Sequence, residues 1–182
     1  MTRRELDAMV EMRSPLGRRV DDLARIDAVE VAFLAQVDVR CDPAEAARLG
    51  LPLEPNTVDG DLTRGALWLG PDEWLVVGLP GTAPAAIDEL ETALAGTHHA
   101  VVDVSANRAV IELRGVDRLE LLASGCALDL DPRGGWVPGV CAQSLFARAQ
   151  VILQEMDGAT RLFVRPSFAH YVVDRLLVSA GA

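Results

Sequence analysis

A chain of 182 residues, 50% apolar and 24% charged, is long enough to bury a core without disulfide or metal staples. Its net charge of −10 excludes nucleic acid and anionic membrane surfaces as electrostatic partners, because both would be repelled. All 17 basic residues are arginine, so the chain has neither the lysine of a P-loop nor an amine for a Schiff base.

Met1 to about Ala28 reads as a polar N-terminal arm, carrying Arg3–Arg4, the Ser14-Pro15-Leu16-Gly17 break and Arg18–Arg19. Residues 29–182 read as one domain. Val29, Val31, Phe33, Val37, Val39 and Cys41 alternate with other residues, the period of one strand with one buried face. Asp42-Pro43-Ala44-Glu45 then sets an N-cap aspartate, a proline at the first helical position and a glutamate at the third, a capping-box pattern that ends at Gly50. Leu51 to Arg64 reads as loop.

Two apolar runs, Ala66–Leu69 and Trp74–Gly78, flank Gly70-Pro71-Asp72-Glu73 and predict a hairpin with a four-residue turn. Thr82 and Pro84 open a helix with Ile87, Leu90 and Leu94 on one face, closed by Gly96. Strands follow at Ala100–Val104 and Ala109–Leu113, then a helix from Gly115 and Asp117 to Gly125 with Leu119, Leu122 and Ala123 inward. After the Asp131–Gly139 loop, Gln143 to Gln154 is one long strand or two, and Arg161–Arg165 pairs back across the Asp157-Gly158 turn. Ser167 is expected to cap a last helix with Phe168, Val172 and Leu176 in register. Strands mixed with isolated helices and joined by hairpins indicate an α+β fold with mixed or antiparallel sheets.

Candidate chemistry is sparse. No serine sits in a G-x-S-x-G elbow, and a triad would need one of His98, His99 or His170. The first two read as a solvated loop pair, and the third as a surface partner of Asp174 one turn on. Cys41, Cys126 and Cys141 are odd in number, widely spaced and without C-x-x-C, so neither a disulfide framework nor a zinc site is indicated. Gly78-Leu79-Pro80-Gly81-Thr82 lacks G-x-G-x-x-G spacing and loses a donor at Pro80, so it reads as a structural turn. Asp129 with Asp131, and Glu155 with Asp157, are the carboxylate pairs that could move a proton if buried, though acids at turns ordinarily serve the turn. Trp68 and Trp74 could stack a ligand or fill a partner's pocket, with core packing as the ordinary alternative. No apolar stretch reaches the ~18 residues of a membrane helix, and the charged N-terminus has no signal-like apolar region, so a reducing cytoplasm is expected.

Val101 to Leu177 resembles the folate-binding fold of glycine-cleavage aminomethyltransferase through Val102-Asp103-Val104-Ser105, Val110 to Asp117, Cys141 to Leu145, Ala149 to Leu153 and Phe163 to Tyr171. A closer resemblance spans nearly all of the chain after the arm. Pro52-Leu53-Glu54-Pro55-Asn56-Thr57, Ala66 to Leu75, Gly125-Cys126-Ala127-Leu128-Asp129-Leu130 and Arg165 to Tyr171 are similar to the gamma subunits of heterotetrameric sarcosine oxidases, and Ser14-Pro15-Leu16 fits that family's N-terminus.

The resemblance implies alpha, beta and delta partner subunits that together oxidise sarcosine to glycine and pass the methyl carbon to tetrahydrofolate. FAD, FMN, NAD, tetrahydrofolate and zinc are implied for the complex and none for this chain. The aspartate pair of the aminomethyltransferases is not carried over, because Gln154, Glu155 and Met156 follow the corresponding strand. The expectation is a scaffold without catalytic, cofactor or metal residues, docking on a larger subunit through Trp68, Trp74, Arg18 and Arg19. The alternative is a free-standing folate-binding or aminomethyltransferase-like protein.

Overall fold

The structure is a computed structural model that describes residues 12–61 and 63–181. Arg3–Arg4 and the rest of the expected arm before Met12 lie outside the described residues. From Met12 on, the arm is packed: Leu16, Leu23 and Ile26 are buried in the core, Leu23 on a short helix α1 (Val20–Ala24).

The alternation from Val29 to Cys41 is two strands, not one. Phe33 adopts φ 60, a left-handed turn that breaks the pleat and sends the chain from one sheet to another. Strand β1 (Ala28–Glu30) therefore lies in sheet I, and β2 (Ala35–Arg40) lies in sheet II. Helix α2 (Pro43–Arg48) starts as its sequence requires, with Ala44 N–H donating to Asp42 Oδ1 at 2.8 Å. Only half of the capping box forms, because Glu45 pairs with Arg48.

The expected loop before Arg64 contains a short strand, β3 (Val58–Gly60), paired with β4 (Arg64–Gly70). Strand β4 forms the predicted hairpin with β5 (Glu73–Gly78), Gly70 opposite Glu73 across a Pro71-Asp72 tip. Helix α3 (Ala83–Ala93) and edge strand β6 (Ala100–Asp103) complete this half. Sheet I adds β7 (Ala109–Arg114), β8 (Cys141–Phe146), β9 (Ala149–Met156) and β10 (Ala159–Val164), with α4 (Arg118–Ala123) between β7 and β8 and α5 (Pro166–Ser179) at the end. The predicted stretch Gln143–Gln154 is thus two strands. Ala147 turns the chain at φ 52.

Helix α5 begins at Pro166 with Arg165 at its N-cap, two residues earlier than a Ser167 cap would place it, because proline presets the first helical φ. Its inward face is Ala169, Val172, Val173, Leu176 and Leu177. Phe168 is 41% exposed and meets Tyr171 edge-on, so it is not part of that face.

Both sheets are five-stranded and antiparallel, in the orders β1-β7-β10-β9-β8 and β3-β4-β5-β2-β6. The layers follow from strand alternation. Ile111, Leu113, Val151, Leu153 and Leu162 point from sheet I toward α1, α4 and α5. Val37, Val39, Trp74 and Val76 point from sheet II toward α2 and α3. Val110, Ile152 and Phe163 of sheet I meet Leu67, Leu69, Leu75 and Val77 of sheet II. The result is helices, sheet, sheet, helices, an α+β architecture.

Candidate functional site

The expected docking residues do not gather in one place. Trp74 is wholly buried on the α3 side of sheet II, where its Nε1–H donates to Pro52 O at 2.7 Å, so it cannot present a surface to a partner. Trp68, its cross-strand neighbour, is partly buried in the same cluster. Arg18 and Arg19 lie next to α1, on the outer side of sheet I. Arg18 is exposed. Arg19 is committed: it donates to Asp22 within α1 and to Asp174 on α5 at 2.6 Å. Those bonds, with that to Asp174 the stronger cause, raise its already high pKa further. Asp174 therefore pairs with Arg19 rather than with His170, whose Nδ1 lies 3.4 Å from Arg19 Nη1.

The candidate acids separate cleanly. Glu155 points from β9 to the helix side of sheet I and is 3% exposed. Its carboxylate is held by Arg118 Nη2 of α4 at 2.6 Å, by the Trp136 indole N–H at 3.0 Å and by the Thr160 hydroxyl opposite it on β10. Buried, with one oxygen bound by a cation and the other by two neutral donors, this carboxylate is engaged within its own chain as a structural anchor. Asp157 is exposed in the β9–β10 turn. Asp131 caps the 3₁₀ turn Pro132–Gly134 and pairs with Arg133, which together hold its carboxyl below the usual range. Asp129 accepts the Asp131 N–H at 3.0 Å.

The remaining candidates are equally committed. His99 bonds Thr97 O and Glu91, the carboxylate raising its pKa. All three cysteines are free and buried, and burial pushes the Cys141 thiol up to about 11. At the β5–α3 turn, Thr82 donates its hydroxyl to Leu79 O, and a Cβ on Gly78 would stand 2.7 Å from Thr82 Oγ1, so the turn is filled by its own side chain. Among the described residues no group of three or more His, Cys, Asp or Glu could hold a metal. No helix among them is long and apolar enough to cross a membrane.

Sequence reasoning missed a polar row between the sheets. On the inner face of sheet I, Glu112, Arg161, Gln154 and Cys141 stand opposite one another across β7, β10, β9 and β8. Arg161 Nε–H donates to Glu112 Oε2 at 3.0 Å, and Arg114 donates twice to Glu112 Oε1. Burial would raise the Glu112 pKa, yet these two guanidiniums outweigh it and hold the carboxyl low. The available signal was strand parity: Glu112 shares the face of Val110, and Arg161 that of Phe163.

Comparison with known proteins places this architecture. Residues 25–181 match the model of the sarcosine oxidase, gamma subunit family. The sarcosine oxidase gamma subunit of Corynebacterium sp. strain U-96 is 34% identical over 94% of this chain and 85% of its own length. That of strain P-1 is 35% identical over 91% and 88%. A chain of the solved heterotetrameric sarcosine oxidase from Corynebacterium sp. U-96, in complex with pyrrole 2-carboxylate, superposes with a TM-score of 0.85 at 31% identity, covering 93% of this chain and 95% of that one. Aminomethyltransferase T of the glycine cleavage system from Bartonella henselae shares the fold at a TM-score of 0.64 and 14% identity, over 90% of this chain and 49% of that one. From Arg25 to Gly181, in sequence and in the two-sheet architecture alike, this chain belongs to the sarcosine oxidase gamma subunit family.

Proposed function

We propose that this chain is an architectural subunit of a heterotetrameric sarcosine oxidase and performs none of the chemistry itself. Alpha, beta and delta subunits are its partners, and FAD, FMN, NAD, tetrahydrofolate and zinc belong to them. The complex converts sarcosine to glycine and hands the methyl carbon to tetrahydrofolate, in the cytoplasm. Residues 29–182 act as one domain over which the preceding segment is laid.

The observation that carries this reading is Glu155. Of the two acids near the place where the resemblance puts the transferases' acid, Asp157 is exposed in a turn, and Glu155 is buried with both oxygens bonded, to Arg118, Trp136 and Thr160. The β–α turn after β5, the segment most like a phosphate cradle, is filled by its own Thr82 side chain, which supports the same reading. A general acid needs an oxygen within reach of the proton it moves, and both oxygens of Glu155 are buried against partners of its own chain. The family match and the solved heterotetramer support assembly with larger chains.

Affinity capture of the tagged chain from its native cells tests the reading, with eluate masses and the visible spectrum read together. Flavin absorbance with large, medium and very small companion chains is expected. A lone colourless chain, in cells that oxidise sarcosine, would overturn it in favour of the free-standing folate-binding alternative.

A further inference from the structure

The inner face of sheet I is organised in rows, and the charges at its end are unbalanced. The first row answers Arg161 with Glu112. The second is Val110, Phe163 and Ile152, covered by sheet II, with Gln143 exposed at its end. Just outside the last pair Val164–Ala109, Arg108 precedes β7 and Arg165 follows β10, while Gln150 stands opposite Leu145 on β9 and β8. The charge of Arg165 acts unfavourably on Arg108. Among the described residues no carboxylate answers them at bonding distance.

Arg165 donates to the neutral Asn107 Oδ1 at 3.0 Å. The Arg108 side chain is partly buried and has no hydrogen-bond or ion-pair partner among the described residues. Asp38 and Glu73 of sheet II act on it only through space, and Glu73 is bonded to Arg40 at 2.6 Å. Burial, and then the charge of Arg165, depress the Arg108 pKa, so its surroundings disfavour the cation as they stand.

Both guanidiniums line a cavity of about 490 Å³, within the range of small-ligand sites. The lining adds Gln143, Ser144 and Gln150 as neutral polar groups, Leu145 as its exposed apolar residue, and no acidic residue. Two cations beside amide groups and an exposed leucine match an organic acid, whose carboxylate would meet the guanidiniums and whose body would meet Leu145.

We propose that this cavity binds a carboxylate, with Arg108 and Arg165 holding the anion and Leu145 meeting the body that carries it. The carboxylate comes either from a free organic acid or from an acidic residue of a partner subunit.

The test is calorimetric titration of the full chain with sodium hexanoate at constant ionic strength, beside inorganic phosphate. Saturable hexanoate binding is expected, weakened at least about tenfold by Arg108→Gln or Arg165→Gln and unchanged by Arg133→Gln at an exposed site away from the cavity, since each bidentate charged contact is worth that much. Both cavity variants should unfold about 2 °C or more above the parent without ligand, because each relieves the repulsion. Repeating the titration on the assembled complex separates the sources. Retained binding indicates a free acid. Binding lost on assembly, together with weaker assembly by Arg165→Gln, indicates a partner's carboxylate. Absence of saturation, equal binding by the cavity variants, phosphate binding as tight as hexanoate, or destabilisation by both substitutions would each overturn the proposal. The free-chain titration needs no partner, so its outcome is independent of the assembly reading above.

Discussion

Arg161 on β10 and Glu112 on β7 form an ion pair of 3.0 Å sealed between the two sheets, with both residues buried. Arg161 Nη1 and the neighbouring Gln154 Oε1 are buried there without hydrogen-bond partners. Such a pair costs desolvation on both sides and is strongly favourable only relative to its broken form.

The expected consequence is non-additivity. Glu112→Ala should cost about 3–5 kcal/mol by stranding the Arg161 cation, whereas Glu112→Leu with Arg161→Met should cost far less. Urea denaturation of the single and double variants measures this. Additive losses would show that the two side chains contribute independently.

Acid should expose the same link. The folded Glu112 pKa lies below its unfolded value, so its contribution is complete above about pH 4.5 and is lost as pH falls through the lower folded pKa. Stability curves should therefore fall less steeply below about pH 4.5 for Glu112→Gln than for the parent. Parallel acid limbs would remove Glu112 from the account.

Cys141 should be inert. Its thiol, buried and held near about 11, is ionised to roughly one part in a thousand at pH 8. A thiol reagent should label none of the three cysteines in the native chain at that pH and all of them in urea. Rapid native labelling would contradict the packing around β4 and β8.

Trp74→Ala should cost about 3–5 kcal/mol, as for other buried aromatic truncations. Trp68→Ala, at a partly exposed position, should cost clearly less. Thermal unfolding of both decides whether the first is a core residue, as its burial requires.

Much of the local grammar was legible in the chain. The Asp42-Pro43 helix start, the Gly70–Glu73 hairpin and the Asp157-Gly158 turn declare themselves because each is set by neighbours in sequence. The break at Phe33 was not, since Val31, Phe33 and Val37 keep their alternation straight through it, and only the separation into two sheets reveals the left-handed turn. The arm from Met12 looked polar because Leu16, Leu23 and Ile26 are scattered among charges, and they are buried by α5 and sheet I from far along the chain. Trp74 looked like an exposed anchor for the same reason. Its burial depends on α2, α3 and Pro52, which no local pattern specifies. At the candidate site, Glu155 was picked out by position, but Arg118, which pairs with its charge, and Trp136, which donates to it, lie 37 and 19 residues away.

The most direct test of an architectural rather than catalytic role is sarcosine turnover by the assembled complex carrying Glu155→Gln, normalised to bound flavin. The substitution keeps the shape and removes the charge that Arg118 holds. Turnover equal to that of the parent complex is predicted, alongside a lower unfolding temperature of this subunit. A loss of about a hundredfold or more in turnover or in methyl transfer to tetrahydrofolate, the size expected for a general acid, would contradict it.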